Sequence, residues 1–153
     1  MKNYSIKRLD INKIDLIQPL WEQLNLLHSD LSLNFKHRFD NMNWEKRKTK
    51  LMDKSAEIMI DAVVDGENRA IGYCVSTIDK TNPKVGEIDS IYIDASHRDS
   101  GLGKQLINNA IDWLIEKETT EQHLLVGVGN EKVLDFYKQF NFYPRHIVLQ
   151  RID

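Results

Sequence analysis

The chain has 153 residues, 41% of them hydrophobic and 29% charged, with 21 Lys and Arg against 23 Asp and Glu for a net charge of -2. A chain of this length hides about 70% of its unfolded surface, so one domain over residues 1–153 is expected, with no metal or disulfide needed to hold it. The near-neutral charge offers no field for nucleic acid or an anionic membrane, no apolar run nears the roughly 20 residues of a membrane span, and the start MKNYSIKRLD lacks a secretory core, so a cytoplasmic location is expected.

The stretch YSIKRL at 4–9 is a candidate first strand. Over 12–28 the apolar residues Ile14, Ile17, Trp21, Leu24 and Leu27 recur at three and four, which predicts a helix facing a core, and Pro19 predicts a kink or a late start. The stretch 29–43 reads as a mobile connection into a second helix at about 44–53. The cluster Lys46, Arg47, Lys48 and Lys50 reads as that helix's solvated face.

The period then changes to two. EIMIDAVV at 57–64 and AIGYCVSTI at 70–78 are β-rich runs joined by DGENR, whose Asp65-Gly66 is expected to supply the positive backbone angle of a hairpin. A third run, VGEIDSIYI at 85–93, leads into HRDSGLG, and Leu102, Leu106, Ala110, Trp113 and Leu114 then mark a helix over about 100–117. A short strand at 124–128, a short helix at 131–140 and a last pair of short strands at 142–151 complete the expectation. This order predicts an α/β sheet with helices on both faces. The single cysteine, Cys74, reads as a buried filler and agrees with a reducing compartment. His28, His37, His97, His123 and His146 form no i, i+4 pair, so no metal site is expected.

A strand that ends in a glycine loop and turns into a helix leaves unpaired N–H groups at the positive end of the helix dipole, a place for phosphate. Gly101 and Gly103 let the backbone approach an anion, and Arg98 and Lys104 add charge at the rim. The Walker template fails, because Arg98 stands where its first glycine belongs and Gln105 where Ser or Thr belongs. The dinucleotide fingerprint fails too, because its third glycine would fall on Leu106.

IDSIYIDASHRDSGLGKQLI, 88–107, resembles the signature of the GNAT superfamily of acetyl-CoA-dependent N-acetyltransferases, whose loop Arg/Gln-x-x-Gly-x-Gly/Ala is matched by Arg98, Gly101 and Gly103. NEKVLDFYKQFNF, 130–142, is similar to a second family stretch, matched by Asn130, Phe136, Tyr137 and Phe142. Two positions depart from it. Val133 replaces a small Ala, and Asn141 replaces Gly, a mild change because Asn tolerates the left-handed conformation that ends a helix.

The resemblance implies a mixed, mostly antiparallel central sheet with helices on both faces, in which the third long strand splays from the strand at 124–128. It implies that acetyl-CoA lies in that gap, with pantetheine on the backbone of Ile91, Tyr92 and Ile93 and pyrophosphate on Arg98, Asp99, Ser100, Gly101, Leu102, Gly103 and Lys104. Asn130 and Tyr137 would touch it from the other side, and Gly127 and Gly129 would either admit it or only turn the chain. The implied reaction is direct transfer of acetyl to a primary amine of a small molecule or protein. Tyr137 would be the acid that protonates the leaving thiolate, and Glu87 or Asp89 the base unless a water relays the proton. With period two, Glu87, Asp89 and Ile91 share one face, so the two carboxylates look into one cleft and favour a cationic acceptor. Phe35 and His37 are candidate acceptor contacts. The other reading is a catalytically inactive CoA-binding sensor, and the resemblance admits a homodimer.

Overall fold

The computed structural model describes residues 3–153. A five-stranded sheet of order β1-β2-β3-β4-β5 runs through it: β1 Ser5–Leu9, β2 Ser55–Val64, β3 Ala70–Asp79, β4 Val85–Ile93 and β5 Glu121–His123. The first four strands pair antiparallel and β5 joins β4 in parallel, so the sheet is mixed and mostly antiparallel. Period-two alternation gives β2 and β3 two apolar faces, and each is covered.

On one face lie α1 Gln18–Leu31 and α3 Trp44–Lys54, whose Leu20, Trp21, Trp44 and Leu51 pack with Ile60, Ala62, Tyr73 and Val75. On the other lies α4 Leu102–Glu116, whose Leu102, Leu106, Ala110, Trp113 and Leu114 meet Met59, Val63, Cys74 and Ile88. The helical spacing read from the sequence is the packing stripe itself. A 3-10 turn occupies Ile11–Ile17, and α1 begins at Gln18 with Pro19 in its first turn, the late start that a proline ring favours. Between α1 and α3, the stretch expected to be only a connection carries the short helix α2 Lys36–Asp40. α2 is held on α1 by Asn25 Nδ2 donating to Phe39 O at 3.0 Å.

Three local expectations differ from the structure. In the β2–β3 turn the positive angle falls on Asn68 (φ 61), not on Gly66, because the Asp65 carboxylate accepts from the amides of Glu67 and Arg69 and shapes the loop itself. The strand expected at 124–128 is instead β5 at Glu121–His123, and the chain leaves β4 beyond it. The strand pair expected at 142–151 is absent: Phe142 closes the last main-chain hydrogen bond, and Ile147, Val148 and Leu149 stand exposed, Leu149 at 91%. Valine and isoleucine make a strand only against a hydrogen-bonding neighbour, and among the described residues this segment is tethered by side chains, Arg145 to Glu121 and Arg38 to Gln150.

α5 Leu134–Lys138 follows a 3-10 turn at Glu131–Val133. The turn that follows it stops at Asn141 with φ 65, the left-handed conformation that the sequence allows asparagine to take.

Candidate active site

The loop between β4 and α4 is built from its own residues. Asp94 N bonds Ile71 O at 2.8 Å, Ser96 Oγ and His97 Nδ1 lie 2.7 and 3.2 Å from the Asp94 carboxylate, and Ser100 Oγ donates to His97 O at 2.8 Å. Hydrogen bonding from Ser96, and then from His97, holds the Asp94 carboxyl below the usual range. Asp99 and Gly101 take positive φ, 63 and 80, which turns the chain sharply into the helix.

The first helical bond of α4 is donated by Gln105 N to Gly101 O, so the amides of Leu102, Gly103 and Lys104 have no main-chain acceptor among the described residues. The two glycines serve different needs. A Cβ on Gly101 would meet nothing within 4 Å, whereas one on Gly103 would sit 3.4 Å from Phe136 Cζ of α5. Arg98 folds back on the strand, its Nε donating to Ile93 O at 2.9 Å and its guanidinium 5.2 Å from the centre of the Tyr92 ring.

β4 and β5 pair over three rungs, Val85 with Glu121, Gly86 with Gln122 and Glu87 with His123, and then part. From Ile88 to Ile93 one edge of β4 carries no neighbouring strand among the described residues. The opposite edge keeps its pairing with β3, but Val75 faces Ser90 and Ser76 faces Ile88, which leaves Asp89 bulged. The bulge overturns the expected facing. Ile88 and Ile91 both pack toward α4, while Glu87 and Asp89 meet Lys54 of α3 on the other side.

Nor do the carboxylates look bare into a cleft. Asp89, its side chain only 2% exposed, accepts from Arg47 Nη2 and Lys54 Nζ, and Glu87 Oε1 accepts from Lys54 Nζ at 3.2 Å. Burial alone would lower the Lys54 ammonium, but Asp89 and Glu87 outweigh it and raise its pKa. The basic cluster is therefore divided: Arg47 points to the sheet, Lys48 pairs with Asp15 at 2.8 Å and Glu45 at 3.1 Å, and Lys46 and Lys50 stay exposed. Sequence reading found the carboxylates and missed their cations and His123, whose Nε2 stands 3.0 Å from Glu87 Oε2. Residues 33 to 42 positions apart in the chain leave no local signal of such pairing.

Across the gap, a Cβ on Gly129 (φ 103) would lie 2.3 Å from Leu31 O, so this glycine admits the end of α1 and turns the chain. Asn130 Oδ1 is buried with no partner among the described residues. Tyr137 packs against the α4 side with its ring 5.3 Å from that of Phe136, and burial, with the charge of Cys74 adding, pushes its phenol up to about 12. Phe35 and His37 lie at α2 with ring centres 6.1 Å apart, and His28 stacks on Phe39 at 5.6 Å. Burial lowers the His28 imidazole.

Residues 21–142 match the family model of the Acetyltransferase (GNAT) family. The chain belongs to the GNAT acetyltransferase family. It is similar to an uncharacterized N-acetyltransferase of Methanocaldococcus jannaschii, 30% identical over a 130-position alignment that covers 77% of this chain and 57% of that protein. The chain thus spans little more than half of that relative's length. Among solved structures, a Pyrococcus furiosus chain assigned as an acetyl transferase shares the GNAT fold at TM-score 0.79 and 16% identity, over 99% of this chain and 100% of that one. An aminoglycoside N-acetyltransferase solved with CoA follows at TM-score 0.70 and 16% identity, over 100% and 96%. Identities this low concern the fold alone.

Proposed function

We propose that the protein moves the acetyl group of acetyl-CoA directly to a primary amine of a small molecule. The observation that carries this is the open β4 edge running from the Glu87 rung to a helix terminus with three uncommitted amides. The residues present fit the cosubstrate. The amides of Leu102, Gly103 and Lys104, with the backbone of 98–101, form a cradle for the pyrophosphate. Ile91 and Ile93 turn their backbone toward the open edge, whereas Tyr92, opposite Tyr73, is paired to β3 and Ile93 O is held by Arg98 Nε. The N–H and C=O of Ile91 and the N–H of Ile93 suit an extended pantetheine arm, and an N–H of that edge would polarise the acyl oxygen. The orphan Asn130 Oδ1 is an acceptor in want of a donor, which an amide of the arm supplies. Acetyl-CoA would bring an activated acyl carbon and a thiolate leaving group.

Tyr137 is the acid of this reading. Its raised pKa keeps the proton on the phenol oxygen at every working pH, and no hydrogen bond among the described residues holds that hydroxyl elsewhere. An aminoglycoside enzyme among the fold neighbours supports a small-molecule amine, with α2 and its Phe35 and His37 over the acceptor side. The preference for a cationic acceptor loses its footing, because Arg47 and Lys54 neutralise the two carboxylates.

Thermal unfolding with acetyl-CoA, CoA, NAD and ATP tests the proposal. A ligand at about 100 times its Kd adds roughly 2.7 kcal/mol, a midpoint rise of about 5–10 °C for this size. The expected result is that rise with both CoA species alone, followed by thiol release with an amine. No rise with either would sink the reading.

A further inference from the structure

Glu87 and His123 form the last rung before β4 and β5 part, and their side chains meet across it with Nε2 3.0 Å from Oε2. The other carboxylate oxygen is taken by Lys54 Nζ. A carboxylate only accepts, so the neutral imidazole must carry its hydrogen on Nε2, which leaves the lone pair on Nδ1. That Nδ1 is buried and has no partner among the described residues. A buried acceptor left bare is costly, and native structures keep one where a bound group completes it.

Asp89 cannot serve in its place. Protonating it would strand Arg47 and leave Lys54 to Glu87 alone, since both cations converge on a carboxylate already sealed from water. Glu87 is engaged at both oxygens. Among the described residues His123 Nδ1 is the buried imidazole acceptor of this cluster left without a hydrogen-bond partner, and His123 sits on the last rung before β4 and β5 part. The charged groups around it are Glu87 of β4, Lys54 of α3 and Asp79 at the end of β3.

We infer that His123 is the base that takes the proton from the acceptor ammonium, and that Glu87 is a positioning residue that fixes its tautomer. The inference rests on the acetyl-transfer reading. One ammonium proton passes to Nδ1 and later to water. The freed nitrogen lone pair forms the C–N bond to the acyl carbon as the C–S bond breaks. The thiolate takes the Tyr137 proton, and the second proton shed by the nitrogen restores the phenol, so amide, thiol and one released proton balance.

Two measurements test it. Imidazole nitrogen NMR on the free protein at pH about 8 should show His123 with hydrogen on Nε2 and none on Nδ1, and Glu87→Gln should mix the tautomers. Thiol release is then followed with spermidine, kanamycin, lysine and a short peptide. His123→Gln should lower kcat/KM by about 100-fold or more and remove the acid limb of the pH profile, with CoA affinity by calorimetry within about twofold. Glu87→Gln should shift that limb and keep part of the rate.

Hydrogen on Nδ1 in the wild type overturns the inference, as does a His123→Gln rate within about threefold with the acid limb in place. If His123→Gln does not fold, His123→Asn and Glu87→Gln carry the same test. Wild-type protein that binds CoA yet releases no thiol with any amine overturns the acetyl-transfer reading and the base role with it. The tautomer is read without substrate, so the two failures are distinguishable.

Discussion

Gly129 and Leu31 approach so closely that a Cβ on the glycine would lie 2.3 Å from the leucine carbonyl oxygen. The contact ties the end of α1 to the chain leaving β5, and so sets the far wall of the gap beside β4. Gly129 also holds φ 103, where an L side chain is strained. Gly129→Ala should cost about 2–3 kcal/mol and lower the thermal midpoint by about 5–10 °C. A midpoint within about 1 °C of wild type would show that the contact relaxes freely.

Asp89 gathers Arg47 and Lys54 under the sheet, and removing its charge leaves half-buried Arg47 without an acceptor among the described residues and Lys54 with Glu87 alone. Asp89→Asn should cost about 2–4 kcal/mol by urea unfolding. Asp89→Leu combined with Arg47→Met should recover part of that loss, because no buried charge is then left unpaired opposite Arg47. Simple additivity of the single changes would show that the pair is uncoupled.

Tyr137 lies above its ordinary pKa of 10, at about 12, because of burial. Its unfolded form loses the proton first, so its stabilisation is whole below pH 10 and is lost as the pH climbs toward 12. In an absorbance titration of the phenols, Tyr137 should be silent at pH 10 in the folded protein. Tyr137→Phe should lower kcat by about 100-fold, with the acetyl-CoA Kd within about twofold. An unchanged kcat would remove it from the acid's role.

Cys74 is fully buried in β3, and burial pushes its thiol up from 9.0 to about 12. An aromatic disulfide reagent at pH 8 should therefore react only at the rate of unfolding, and stoichiometrically in denaturant. Rapid labelling of folded protein would contradict this burial.

Gly101 has open space beside it and a positive φ, so a side chain there would project into the proposed phosphate cradle. Gly101→Val should leave a folded protein, weakened by about 1 kcal/mol, that no longer shows the acetyl-CoA midpoint rise. A retained rise would move the pyrophosphate elsewhere.

What the amino-acid order determined by itself was whatever depends on near neighbours. The stripe from Leu102 to Leu114 is a property of helical spacing, and the paired runs of β2 and β3 are a property of period two. The turn at Gly101 and the stop at Asn141 follow from the conformations those residues tolerate. The β4 loop and the 130–142 stretch carried the family in their residue types alone.

Only the tertiary structure decided the matters that involve distant partners. One bulged residue at Asp89 turned Ile91 to the opposite face, and a period counted along the chain contains no sign of it. The β-rich residues 147–149 pair with no strand among the described residues, and propensity without a partner leaves them exposed. The cations on Asp89 and the imidazole on Glu87 come from other elements. Folding brings these charges together because a charge taken out of water needs a partner, and the partner's place in the chain is not constrained by that need.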